Sequence, residues 1–263
     1  MEIKLVLLDI DGTLLPKGRT RPWSQVVAAA KALQKKGVLV AVATGRGVLA
    51  LPESVLGGLK PDYLICCNGA WLLDRRRQTV EMDTMSMQEM YTLVDWCEDF
   101  DYPLAFVYPD GYYAYVEYKK MYEFYNGIGG FRAIVLDGED QDRHLDGMPL
   151  SAFCIMPPEG VAGFQEKYGY QGLRFMAYSS DKYDIGRPGV DKAVALERLM
   201  KRLGLTPDQV AAVGDGPNDA GMLQLAGVGA AMGSGAAAAH QAADVILPDD
   251  GPQALQQFLL GLA

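Results

Sequence analysis

Asp9 and Asp11, two carboxylates one residue apart, close the apolar run Lys4-Leu5-Val6-Leu7-Leu8 and lead into Gly12-Thr13. Like charges this close repel unless a cation or a proton intervenes. The pair is therefore either an Asx-rich turn that closes a strand or one wall of a cation site. The same choice recurs further on. Thr44-Gly45-Arg46 ends a second apolar run at 38–43, and Asn68-Gly69 ends a third at 63–67. Gly214-Asp215-Gly216-Pro217-Asn218-Asp219 follows the apolar run 210–213. Lys192 stands in the first turn of a helical stretch, where the helix dipole disfavours a cation. Carboxylates, a lysine, a hydroxyl and glycine-rich turns are the groups that phosphoryl transfer uses. Oxygen-only ligands suit Mg²⁺ rather than zinc.

The elements between these residues decide whether they meet. Short apolar runs bounded by turns read as strands buried on both faces. Ser24 is the expected N-cap of a helix to about Lys36, with Val26, Ala30 and Leu33 inward and Gly37 as the stop. Strand, helix and strand of these lengths make a right-handed βαβ unit, so Thr44 reaches the same sheet edge as Asp9. That edge is where open α/β sheets bind ligands. Residues 71–73 and 79–82 read as a hairpin through the turn Arg75-Arg76-Arg77.

From residue 83 the texture changes. A helix capped by Ser86 carries Met87, Met90, Val94 and Cys97 at helical spacing. A hairpin at 104–108 and 112–116, a helix at 121–125, a strand at 133–136 and an acidic loop at 138–146 follow. Strand, helix, strand and strand then run through 150–155, 161–168, 173–178 and 183–185, the mixture of an α+β module. The first style resumes at Gly189 with a helix at 191–203, Val194, Leu196 and Leu199 facing inward. The chain thus reads as a parallel α/β core, residues 1–82 and 186–263, interrupted by an α+β insertion at 83–185.

Composition narrows the function. With 263 residues, 49% of them hydrophobic and 22% charged, the chain is an ordinary globular protein with room for a core and a second module. A formal charge of −9 argues against a nucleic-acid binder. No apolar run is long enough to span a bilayer, and the N-terminal one is too short and too soon acidic for a signal peptide, so the expected location is cytoplasmic. Cys66, Cys67, Cys97 and Cys154 lack C-x-x-C spacing and are expected as free thiols. Gly227-x-Gly229 and Gly233-Ser234-Gly235 do not keep the dinucleotide-loop spacing, and neither His144 nor His240 has metal partners in view. Tyrosines between 108 and 125 are expected to pack the inserted module, to meet a subunit or to face a substrate.

Asp9-Ile10-Asp11-Gly12-Thr13, Thr44-Gly45-Arg46, Lys192 and Gly214-Asp215-x-x-Asn218-Asp219 together resemble the four ordered motifs of the haloacid dehalogenase-like (HAD) phosphatases. The insertion after the third strand and the tail Gly-Asp-x-x-Asn-Asp-x-x-Met-Leu resemble the Cof-type hydrolases with a type IIB cap. The resemblance implies a Rossmann-like HAD core, a specificity cap, and hydrolysis of a small phosphorylated metabolite such as a sugar phosphate. It implies Asp9 as nucleophile and Asp11 as general acid/base. It implies Mg²⁺ held by the side chains of Asp9 and Asp215 and the backbone carbonyl of Asp11, with Asp219 a carboxylate at the metal site. Thr44 and Lys192 would bind phosphate, Asn218 would orient these groups, and Gly45, Arg46 and Asn68 would line the mouth. One departure is Asp191-Lys192-Ala193, where relatives commonly carry Ser or Asn before the lysine and Gly after it. The alternatives are a phosphotransferase or phosphomutase using the same aspartyl-phosphate, and a non-catalytic phosphometabolite-sensing or protein-binding module. Either a monomer or a homodimer is compatible with the sequence.

Overall fold

The structure, a computed structural model of the chain, describes residues 2–127, 134–249 and 251–262. They form two units. The first comprises Met1–Gly45, Leu51–Glu81 and Asp191–Ala263; the second comprises Arg46–Ala50 and Met82–Val190.

The first unit begins with β1 (Leu5–Asp9), α1 (Ser24–Lys35), β2 (Leu39–Ala43), the short α2 (Glu53–Leu56), β3 (Tyr63–Cys66), β4 (Trp71–Asp74) and β5 (Thr79–Met82). The second contributes α3 (Met87–Asp99), β6 (Leu104–Tyr108), β7 (Gly111–Val116), α4 (Tyr118–Gly127), β8 (Val135–Asp137), β9 (Ser151–Ile155), α5 (Pro158–Tyr168), β10 (Arg174–Ser179) and β11 (Lys182–Gly186). The chain then returns to the first unit through α6 (Lys192–Leu203), β12 (Val210–Gly214), α7 (Ala220–Leu225), β13 (Val228–Met232), α8 (Ala237–Ala242), β14 (Val245–Leu247) and α9 (Gln253–Gly261).

The first unit is built on an eight-stranded sheet, β14-β13-β12-β1-β2-β3-β4-β5. Strands β14 through β3 run parallel, and β4 turns back antiparallel on β3. This is the doubly wound α/β sheet expected from the apolar runs. β1 and β12 are buried along their whole length, because helices cover both faces of the parallel part. Each buried Leu or Val contributes about 1.5–3 kcal/mol, enough to hold acidic residues at the strand ends. Register does the rest: Asp9 pairs with Ala43 and Leu8 with Val213, so Thr44 and Asp215 leave the sheet beside Asp9.

The second unit has a six-stranded sheet, β10-β11-β9-β6-β7-β8, antiparallel except for the β7–β8 pair. α4 intervenes between β7 and β8, which permits their parallel pairing. Trp96, Phe106, Phe164 and Ile185 belong to its hydrophobic core. Tyr108, Tyr112, Tyr115 and Tyr125 are buried there, so these tyrosines pack the unit itself. His144 lies among them: its backbone N–H donates to the Tyr115 hydroxyl at 3.0 Å, and its Nε2 is 2.8 Å from the Tyr91 hydroxyl. The short segment Arg46–Ala50 belongs here too, although its flanks lie in the first unit. The Gly47 N–H donates to the Tyr112 hydroxyl at 2.8 Å, a buried bond across 65 residues of chain.

Several local expectations are corrected. Ser24 is the first helical residue of α1, and its N-cap is Trp23, which offers no side-chain cap. Met87 is exposed; α3 turns Met90, Leu93, Val94 and Cys97 inward instead, and Ser86 closes a capping box with Glu89. Val194 is only half-buried, because the inward face of α6 is Lys192, Ala195, Leu196, Leu199 and Met200. α5 starts at Pro158 rather than 161, and α4 covers Tyr118–Gly127 rather than 121–125. The strand expected at 133–136 is seen as Val135–Asp137, and Ala133 lies outside the described residues. All four cysteines are buried free thiols, as expected. No helix among the described residues is long and apolar enough to cross a membrane.

Candidate active site

The site is built from the ends of the first unit's strands. Asp9 is the last residue of β1 and is 4% exposed. Past it the chain folds back on itself: Leu14 N–H donates to the Asp9 carbonyl at 3.1 Å and Leu15 N–H to that of Ile10 at 2.8 Å. That turn leaves the next carboxylate, Asp11, exposed. Gly12 makes the turn possible, at φ +97°, and a side chain there would land on the Asp215 carboxylate. Gly12→Ala is therefore expected to displace the Asp215 carboxylate and to cost about 1–3 kcal/mol of stability, through the strained φ and the clash together. Thermal melting of the variant against wild type measures this.

Lys192 crosses the centre. It is 1% exposed, and its ammonium donates to Asp9 Oδ1 and to Asp219 Oδ1, each at 2.7 Å. These two ion pairs explain a cation in the first turn of α6. They outweigh the helix dipole, and they turn the helix so that position 192 faces inward. Burial works against the Lys192 charge, but Asp219 and Asp9 outweigh it, and the lysine is held above its ordinary range. Asp191 is the N-cap of α6, its side chain accepting the Val194 N–H at 2.8 Å. Asp191 before the lysine is thereby explained, since Asp performs the capping that Ser or Asn performs equally well, while nothing in the structure explains Ala193 after it.

Asp219 is spent on structure. Its Oδ1 takes the Lys192 ammonium, and its Oδ2 accepts the backbone N–H groups of Asp215 at 2.9 Å and Gly216 at 2.8 Å. It therefore fixes both the lysine and the loop that carries Asp215. Asp9, Asp215 and Asp219 lie close enough for one oxygen of each to fall within 4.8 Å of the others. Burial raises the Asp9 carboxyl well above the usual carboxylate range, with Lys192 opposing the shift and Asp219 adding to it. Burial also raises Asp215, against the pull of Lys17, whose ammonium is 3.1 Å from Asp215 Oδ2.

Thr44 is 1% exposed at the end of β2, and its carbonyl accepts the Asn68 N–H at 2.9 Å. Asn68 sits beyond β3 in left-handed backbone (φ +51°), and its Oδ1 accepts the Asn218 side-chain amide at 2.9 Å. Gly69 continues that turn at φ +109° and packs on the backbone of Asp191. The structure thus joins Asp9, Lys192, Asp215 and Asp219 in one cluster and Thr44, Asn68 and Asn218 in one hydrogen-bonded chain, while Asp11 and Gly45 lie in the same unit. Arg46 belongs to the other unit, where its guanidinium donates to the Ala50 carbonyl at 3.2 Å. Lys17 was not singled out from sequence; it lies in a Pro-Lys-Gly loop with no periodic signal to mark it.

The residues fit a hard divalent cation. Asp9 Oδ2 is buried and has no hydrogen-bond partner, and Asp215 is the neighbouring carboxylate not already committed to backbone or to Lys192. An orphaned carboxylate oxygen is costly unless something positive meets it. The donors are all oxygen, which selects Mg²⁺-like ions over zinc.

Residues 6–259 match the sequence model of haloacid dehalogenase-like hydrolases. The chain is 24% identical over 284 aligned positions to the pyridoxal phosphate phosphatase YbhA of Escherichia coli (strain K12), covering 98% of each. It superposes on the HAD-superfamily phosphatase BT1666 of Bacteroides thetaiotaomicron with a TM-score of 0.86 at 22% identity, covering 100% of this chain and 96% of that one. It superposes on the HAD subclass IIB sugar phosphatase BT4131 with a TM-score of 0.83 at 21% identity, covering 99% and 100%.

Proposed function

Because the chain belongs to the haloacid dehalogenase-like hydrolases, we propose that it is a Mg²⁺-dependent phosphatase that cleaves a small phosphomonoester through an aspartyl-phosphate on Asp9. The observation that carries this reading is the state of Asp9. One of its oxygens is gripped by Lys192 and the other is buried and unpaired, beside Asp215.

Asp9 attacks phosphorus, the P–O ester bond breaks, and Asp11 gives a proton to the leaving alcohol oxygen. Water then attacks the phosphorus of the aspartyl-phosphate while Asp11 takes its proton. Inorganic phosphate leaves, and Asp9 is again a carboxylate. Asp11 is exposed, as a group that meets a leaving alcohol and then a water must be. Lys192 has three N–H groups and gives two to Asp9 and Asp219, which leaves one for a phosphate oxygen. Thr44 supplies a hydroxyl and Asn218, braced by Asn68, an amide. Asp9 and Asp215, with the Asp11 carbonyl, would hold Mg²⁺, which when bound offsets the repulsion between carboxylates and phosphate.

The substrate class is a small phosphorylated metabolite, to be sampled among sugar phosphates and phosphorylated cofactors; the relatives named for a sugar phosphate and for pyridoxal phosphate support that range. We assign selectivity within it to the inserted unit. The test is phosphate release by the purified protein with Mg²⁺ from a panel of such esters. Release that a chelator abolishes and Mg²⁺ restores is expected. Transfer to a sugar acceptor with no free phosphate would make the protein a phosphotransferase instead. Protons compete with Mg²⁺ for Asp9 and Asp215, and both carboxyls are raised by burial. Metal affinity is therefore expected to weaken on acidification from a higher pH than ordinary carboxylates near 4 would give, roughly. Mn²⁺ titrations between neutral and mildly acidic pH measure that.

A further inference from the structure

Two lysines meet the carboxylate cluster, and they do so in opposite ways. Lys192 is 1% exposed in its side chain and sits between Asp9 and Asp219 at 2.7 Å from each. Lys17 reaches in from a loop: its side chain is 67% exposed, that of Asp215 is 6% exposed, and the ion pair is 3.1 Å long. Asp215 cannot follow Lys17 outward. Its backbone N–H is tied to Asp219, its carbonyl accepts the Ala236 N–H at 2.7 Å, and its carboxylate lies against Gly12. The anion is fixed and the exposed cation is movable.

We infer that Lys17 is the exchangeable cation of this site, holding Asp215 in the metal-free protein and released from it when a divalent ion binds. The inference rests on the metal-dependent reading above. Competition for one carboxylate favours exchange over simple addition. Lys17 sits on Asp215, the same carboxylate that a divalent ion shared with Asp9 would need. The ion brings two charges to that carboxylate where the lysine brings one, and two cations crowded onto it would repel each other. Release is cheap for the lysine, because its exposed side chain returns to water without a buried charge being left behind. Removing Lys192 would strand two buried carboxylates, so it cannot play this part.

The experiment titrates Mn²⁺ into metal-free wild type, Lys17→Met, Lys17→Arg and Asp215→Asn, and follows Lys17 by labelling with an amine reagent and mass spectrometry. Lys17→Met is expected to bind Mn²⁺ about twofold to fivefold tighter, the range of an ion pair exposed on one side, and Lys17→Arg to stay near wild type. Saturating Mg²⁺ is expected to raise labelling of Lys17 severalfold in wild type. Equal or weaker Mn²⁺ binding by Lys17→Met, or labelling unchanged by Mg²⁺, would overturn the inference. Binding by wild type that is lost in Asp215→Asn keeps the metal-dependent reading standing in that event. No Mn²⁺ binding by wild type would overturn both.

Discussion

Replacing Asp9 with Asn is expected to lower phosphatase turnover by about four orders of magnitude or more, the scale seen when a nucleophile is removed from a catalytic unit. The amide keeps the shape of the carboxylate but cannot attack phosphorus. The loss should come without unfolding. Lys192 still has Asp219 at 2.7 Å, so it is not left as an unpaired buried charge. Stability should even favour the variant when metal is absent. Burial raises the Asp9 carboxyl, with Lys192 opposing. An acid raised on folding contributes stability below its unfolded pKa, and that contribution is lost as pH rises through the folded value. A charge on Asp9 therefore works against the metal-free fold, and the neutral Asn carries none. Melting curves without metal should place Asp9→Asn at or above wild type, and added Mg²⁺ should reverse the order. Near-normal turnover by the variant would show that Asp9 is not the nucleophile.

Lys192→Met is expected to do the opposite and damage both fold and activity. It leaves Asp9 and Asp219 facing one another with no cation between two nearly inaccessible carboxylates. Breaking a buried pair by removing one partner costs about 3–5 kcal/mol. For a chain of this length that is a fall in Tm of roughly 10 °C. The deficit should shrink on acidification, as the stranded carboxylates take up protons, and calorimetry across that range separates this electrostatic loss from a packing defect. Activity should fall by about two to three orders of magnitude, as for other lost donors to a developing anionic centre. A variant that melts like wild type at neutral pH would mean that Lys192 is not the counter-charge its geometry makes it.

The site was legible because it is written at strand ends. Asp9, Thr44 and Asp215 each close an apolar run, and once those runs pair in parallel the register brings them to one edge. The doubly wound sheet followed from the same runs. What sequence did not disclose is set by contacts remote in the chain. The inward turn of α6 depends on two ion pairs, one of them spanning 183 residues, so the periodicity of apolar residues alone placed Val194 too deep. Asp191 beside the lysine is a helix cap, and its bond to the Val194 N–H is a matter of backbone geometry that residue type alone does not disclose. Lys17 has no pattern at all: only the position of Asp215 makes it part of the site. Ser24 shows the reverse error, a good capping residue next to a helix start that the chain did not use as a cap.

The bond from the Gly47 N–H to the Tyr112 hydroxyl bears on how such a protein can be recombined. Residues 46–50 belong to the second unit while residues 45 and 51 belong to the first, so the chain passes between units at four places instead of the two that a simple insertion needs. The second unit is accordingly not a cassette with a single entry and exit. A shortened chain from which 82–190 had been cut would keep the 46–50 segment but lose the hydroxyl that Gly47 donates to. A chimera that borrowed 82–190 from a relative would bring a foreign residue to the place of Tyr112. Grafting of the second unit therefore has two pieces to move together, the long insertion and five residues that lie far upstream of it in the chain.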